Sequence, residues 1–159
     1  MPNAVKPIPE GFHTITAAIT VRDAAAAIEF YKKAFGAVET VRMTGPDGKI
    51  GHAELRIGDS VLFLGDEYPG MTAAPSAGLP SSTLFVYVTD VDSTFNQAVA
   101  SGAKSDMPVQ NMFWGDRYGK LTDPFGHHWG LATHVEDVTP EEMKRRQVEF
   151  FKKAAAGQN

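Results

Sequence analysis

The chain predicts an α+β fold made of two βαβββ modules followed by a separate C-terminal helix. Three observations carry this expectation. Residues 13–21 alternate small polar with apolar, largely β-branched residues, lead through Asp23 into a helical pattern, and are followed by three more extended stretches. The same order of patterns returns after residue 82. Laying Thr16–Asp23 over Thr83–Asp90 also lays Val61–Leu64 over His128–Leu131 at one offset of 67 residues, the mark of an internal duplication.

The first strand is expected over His13–Val21. Asp23 then caps a helix, because its carboxylate can accept the unpaired amides of the first turn. Ala24 to Phe35 follows with Ile28, Tyr31, Ala34 and Phe35 on one face and Gly36 just past its end. Residues 37–43 read as a second strand. Pro46-Asp47-Gly48 makes a turn, and Gly58-Asp59 joins strands at about 49–57 and 60–65. Module 1 is therefore about 11–65. Residues 66–82, rich in Pro, Gly, Ala and Ser, read as a linker, with a lid as the other possibility.

In module 2, about 83–134, Ser82–Val88 is a strand, and Asp90 or Asp92 caps a helix that runs to about Ser101 and ends at Gly102-Ala103. More extended chain follows, then a turn at Asp123-Pro124-Phe125-Gly126 and a last strand over His127–Thr133. Thr139-Pro140-Glu141-Glu142 opens the C-terminal helix, about 139–155, with a Thr cap, Pro at the first helical position and Glu at the third. Met143, Val148 and Phe151 are its packing residues, against its own domain or a partner subunit.

At 159 residues, 43% apolar and 21% charged, the chain has the make-up of one soluble globular domain, 1–159. A net charge of −4 with no basic stripe argues against a nucleic-acid partner. The absence of cysteine excludes disulfides, thiolate nucleophiles and Cys-type zinc sites. No apolar run is long enough to cross a bilayer and the N-terminus does not read as a signal peptide, so the expectation is a cytoplasmic protein with no membrane partner. There is no Gly-rich phosphate loop and no Gly-x-Ser-x-Gly elbow.

Val21-Arg22-Asp23, Ala27-Ile28-Glu29-Phe30-Tyr31 and Phe35-Gly36, together with Leu121-Thr122-Asp123-Pro124-Phe125-Gly126-His127, resemble the vicinal-oxygen-chelate superfamily (glyoxalase/bleomycin-resistance/dioxygenase). The run Phe113-Trp114-Gly115-Asp116-Arg117-Tyr118-Gly119 is similar to its PhnB-like branch. The likeness covers about residues 11–134. It implies two curled mixed sheets around a cleft, commonly in a homodimer. It also implies His, Glu or Gln at the middle of the first and last strand of each module, holding a divalent ion that acts as a Lewis acid.

Carried onto this chain, those four positions are Thr16, Phe63, Thr83 and Gly130. None is a good ligand for Zn²⁺, Ni²⁺ or Fe²⁺, which prefer imidazole, carboxylate or thiolate. The expectation is therefore no metal at that centre and no cofactor. Strand parity says what should face the cleft instead. If Ile15, Ala17, Ile19 and Val21 pack under helices, Thr16 faces the cleft. If Ala53, Leu55, Ile57, Leu62 and Leu64 pack, His52, Glu54 and Phe63 face it. In module 2 the same reasoning selects Thr83, Phe85, Tyr87, Tyr118, Lys120 and His128. Trp114 joins this ligand-binding set, either stacking on a ligand or plugging the sheet end with Phe113.

Each candidate has a plainer reading. His52 and Glu54 could be a displaced half-site, an acid–base pair, or a solvated strand face with Arg56 neutralising Glu54. His127 and His128 are adjacent on a strand, so at most one can enter the cleft. Arg117 could anchor an anion or pair on the surface. Three functions follow as expectations: a metal-free protein binding an aromatic or polar small organic molecule, a lyase-, isomerase- or dioxygenase-type enzyme with an altered metal or acid–base centre, or an interaction module.

Overall fold

A computed structural model describes residues 5–74, 78, 80 and 82–157. In chain order the elements are β1 (Ala17–Val21), α1 (Ala24–Phe35), β2 (Val38–Thr44), β3 (Ile50–Ile57), β4 (Ser60–Asp66), β5 (Thr83–Tyr87), α2 (Val91–Ala100), β6 (Lys104–Asn111), β7 (Asp116–Thr122), β8 (His128–His134) and α3 (Pro140–Ala156). This is the expected βαβββ grammar, used twice, with a helix after it. Part of the expected 66–82 linker lies outside the described residues. Among the described residues, no helix is long and apolar enough to cross a membrane.

The chain divides into two compact units. The first comprises Met1–Ser81 with Pro124–His127, and the second Ser82–Asp123 with His128–Asn159. The first holds a four-stranded sheet in the order β1-β4-β3-β2, in which β1 and β4 are parallel and the other pairs antiparallel. Ala24, Ala27, Ile28 and Tyr31 of α1 are buried with Val21, Ala53, Leu55, Leu62 and Leu64 of the sheet. The turn 124–127 completes this core. Phe125 meets the rings of Phe30 and Tyr31 at 6.1 and 6.2 Å, and His127 Nε2 donates to the carbonyl of Thr20 at 3.0 Å.

The second unit repeats the topology as β5-β8-β7-β6, again with one parallel pair, β5 with β8. Its core holds Val91, Phe95, Leu121, Trp129 and Leu131. The indole of Trp129 is buried and donates to Asp123 Oδ2 at 2.8 Å. Register shifts between Glu39 and Val41 in the first sheet and between Ser105 and Met107 in the second interrupt the edge ladders, and such bulges increase twist.

The duplication extends to single atoms. Ala18 pairs with Phe63 and Phe85 pairs with Gly130, the same register at the same 67-residue offset. At the ends of the parallel pairs, Asp66 Oδ1 accepts from the amide of Ala24 at 2.8 Å, and Thr133 Oγ1 accepts from the amide of Val91 at 2.9 Å. Each helix is then capped by its own aspartate, Asp23 to Ala26 and Asp90 to Ser93, both at 3.0 Å. Asp90 rather than Asp92 is thus the cap of α2, and Asp92 pairs with Arg117 instead.

Three expectations change. β1 begins at Ala17, not at residue 13, so Thr16 lies just before the strand and Ile15 is 88% exposed. The chain bends at residues 14–15 before it joins the ladder, so strand parity does not extend that far. Asp66, expected as the first linker residue, is the last residue of β4 and is buried. It also accepts from the amide of Ile50 at 2.8 Å through Oδ2. On α3, Val148 and Phe151 are exposed. Phe150, also exposed, meets the ring of Phe113 at 5.1 Å and that of Phe151 at 5.6 Å, and Arg146 ties the helix to Glu136 at 2.7 Å.

Removing the Asp66 carboxylate should strand two buried amides at once. Asp66→Ala is expected to lower unfolding free energy in urea by about 2–4 kcal/mol, and Asp66→Asn, which keeps one acceptor, by about half as much. Equal losses in the two variants would show that the second bond carries nothing.

Candidate functional site

In the first unit, β3 and β4 alternate faces. Ala53, Leu55, Leu62 and Leu64 go to the core, and His52, Glu54 and Phe63 go to the opposite face. There they form one group. His52 Nε2 lies 3.1 Å from Glu54 Oε1, and the His52 ring meets Phe63 edge-on at 4.9 Å. The N-terminal arm crosses this face: Phe12 lies 5.9 Å from Phe63, and Ile8, Pro9 and Phe12 join Thr16, Glu54 and Phe63 around a cavity of about 410 Å³. The arm was absent from the sequence-derived site. The Pro7-Ile8-Pro9 run, which favours extended chain, is the signal that could have suggested a segment able to lie along a sheet.

In the second unit, Thr83, Phe85 and Tyr87 alternate with the half-buried Leu84 and Val86. Phe85 stacks on Tyr118, with centroids 5.2 Å apart and planes 20° from parallel. Tyr87 tilts against Phe85 at 5.1 Å, and Trp114 approaches Tyr118 at 6.0 Å. Phe85 and Tyr87 keep exposed faces, whereas Tyr118 is buried, which pushes its phenol pKa up. Lys120 is exposed on β7. His128 Nδ1 lies 2.9 Å from the Thr122 hydroxyl, which itself donates to Asp106. Arg117 takes the surface reading, forked onto Asp92 with both bonds at 2.6 Å.

One carboxylate organises the polar side of this aromatic group. Asp116 is 3% exposed. Its Oδ2 accepts from Tyr87 Oη at 2.9 Å and Trp114 Nε1 at 3.0 Å, and its Oδ1 accepts from His134 Nδ1 at 2.8 Å. Donation to Asp116 raises the Tyr87 phenol pKa, keeping it protonated. Bonding first to Asp116 and second to Asp137 raises the His134 pKa above its ordinary value. Asp116 and His134 are absent from the sequence-based expectation, which places the turn at 123–126 and so sets residue 116 opposite residue 133. The turn spans one residue more, with Thr122 paired to His128, and this brings Asp116 opposite His134.

The donor set does not suit the metal centre that the resemblance implies. Among the described residues, no three His, Asp or Glu side chains gather where a cation could be held. The last-strand position Gly130 is also closed: a Cβ there would lie 2.9 Å from Phe85 Cδ2 and 2.9 Å from Tyr118 Cε2. Phe63, the corresponding residue of the first unit, puts an aromatic ring against Phe12 and His52.

The model of the Glyoxalase/Bleomycin resistance protein/Dioxygenase superfamily matches residues 12–131. The uncharacterized protein Rv0887c of Mycobacterium tuberculosis is 45% identical over 132 residues, covering 79% of this chain and 77% of that protein. Among solved structures, TioX from Micromonospora sp. ML1 superposes with a TM-score of 0.64 at 26% identity, covering 76% of this chain and 98% of its own. The PhnB protein from Bacillus cereus shares the fold with a TM-score of 0.62 at 20% identity, over 76% of this chain and 99% of that one. The chain belongs to the glyoxalase/bleomycin-resistance/dioxygenase superfamily.

Gly130→Ala should cost about 1–3 kcal/mol in thermal or urea unfolding, because two rings must move to admit one methyl group. An unchanged stability would mean that the rings yield freely. The His134 ring protons, followed by NMR, should titrate with a midpoint above the ordinary value of about 6.5, and Asp116→Asn should lower that midpoint. Because the folded-state pKa is raised, the stability His134 contributes is present at low pH and is lost as pH rises through its folded-state midpoint.

Proposed function

We propose that this superfamily member is a small-molecule-binding protein that holds an aromatic or polar organic ligand against its ring-lined faces, without the family's metal centre. The observation that carries this reading is Gly130. Where the resemblance calls for a coordinating side chain, the chain has none, and the rings of Phe85 and Tyr118 occupy the space one would need. The remaining lining is what such ligands want: apolar and aromatic walls with a few fixed polar groups, as at the cavity edged by Thr16 and Glu54.

A second reading has its own observation. His52 and Glu54 touch at 3.1 Å beside the cavity, an arrangement in which a carboxylate orients an imidazole for proton transfer. Lyase or isomerase chemistry would follow from it.

The two readings separate experimentally. Protein purified without tag or chelator, dialysed after exposure to Zn²⁺, Ni²⁺, Mn²⁺ or Fe²⁺, should retain far less than one ion per chain. A calorimetric panel of planar aromatic compounds should give saturable binding, weakened about 3- to 10-fold by Phe63→Ala or Phe85→Ala. Stoichiometric metal, or no binder in the panel, rejects the first reading. An activity that survives His52→Ala and Glu54→Ala together rejects the second.

A further inference from the structure

The motif Trp114-Gly115-Asp116 supplies more than a ring. Asp116 is buried, and its two oxygens divide their work: Oδ2 takes the hydroxyl of Tyr87 from β5 and the indole of Trp114, while Oδ1 takes His134 from β8. Tyr87 and Trp114 belong to the aromatic face proposed above as the ligand surface, so the position of both depends on this carboxylate. His134 is half-exposed and therefore free to exchange its proton with solvent. The charges against His134 are Asp116 from β7 and Asp137 from the segment after β8. The basic group of α3 in that neighbourhood, Arg146, is held by Glu136 and Glu142.

We propose that Asp116 and His134 form a two-state charge unit at the rim of the second unit's aromatic face, with Asp116 positioning Tyr87 and Trp114, and that loss of the His134 proton turns this face toward cationic aromatic ligands. The inference rests on the aromatic-ligand reading for its ligand class, and on the structure alone for the coupling between the groups. With His134 protonated, its charge balances that of Asp116, and the rim adds little net field beyond the solvated Asp137. With His134 neutral, a buried carboxylate is left uncompensated against Tyr87 and Trp114. An uncompensated charge that sits out of water acts on a nearby ligand more strongly than a solvated one does. A cation stacked on the exposed rings gains from it, both directly and through the polarised ring faces.

Two tricyclic probes with fixed, opposite charges, N-methylacridinium and anthracene-2-sulfonate, test this on the full chain. Fluorescence titrations from about pH 5.5 to 9 span the histidine range. The affinity ratio of cation to anion should rise about 3- to 10-fold through the His134 midpoint, a change of the size expected for one charge at this range. In His134→Gln the ratio should be flat. A flat ratio in the parent protein, or an undiminished rise in His134→Gln, overturns the proposal.

The second measurement needs no ligand. The indole ¹H–¹⁵N resonance of Trp114, identified by its loss in Trp114→Phe, should titrate with the midpoint of His134 and stop doing so in His134→Gln. Asp116→Asn, which keeps one acceptor oxygen, should uncouple the two groups in the same way. A Trp114 resonance indifferent to His134 sinks the charge unit whatever the probes do. Failure of both probes to bind at any pH, with coupling intact at Trp114, sinks the aromatic-ligand reading and the charge preference, while leaving Asp116 as the positioning residue.

Discussion

Each unit depends on how its parallel strand pair receives the helix between them. A βαβ crossover must start its helix where the first strand stops, which leaves the amides of the first helical turn near the sheet with no backbone partner. In both units a side chain at the far end of the partner strand meets that need: Asp66 for Ala24 and Thr133 for Val91. The contact locks three things together, the end of β1 or β5, the start of the helix, and the register of β4 or β8. Once register is set, side-chain alternation decides which residues reach the core and which reach the other face. That Asp and Thr stand at equivalent positions shows the constraint is geometric, since either oxygen can accept the bond.

The opposite faces of the sheets have been filled differently from the centre suggested by family resemblance. Rings line these faces. Phe63 is flanked by Phe12 and His52, and Phe85 lies on Tyr118 over Gly130. The polar groups that remain are tied to one another, Glu54 to His52 and Asp116 to Tyr87, Trp114 and His134. This gives the second unit a charge that solvent protons can reach, because one member of the Asp116 network is half-exposed.

Much of the fold was legible in the chain itself. Alternation in β3, β4 and β5, caps at Asp23 and Thr139, and the glycine after α1 all depend on neighbours a few residues apart, and local chemistry fixes them. The same locality made His52, Glu54 and Phe63 readable as one group, because they lie on adjacent strands joined by a two-residue turn. The absence of good donors at Thr16, Phe63, Thr83 and Gly130 was equally a property of residue types.

What only the tertiary structure decided are the contacts between segments far apart in sequence. The N-terminal arm lies across the first sheet face because Phe12 finds Phe63, 51 residues on, and nothing within the arm specifies that destination. Asp66 looks like the start of a polar linker until Ala24 and Ile50 appear around it as amides in need of an acceptor. Asp116 looks like one more acidic residue in a turn until three donors from separate segments converge on it. Residue type and spacing determined the modules and their duplication. The identity of the polar centre awaited the fold, because a buried carboxylate takes its role from whichever donors the packing brings to it.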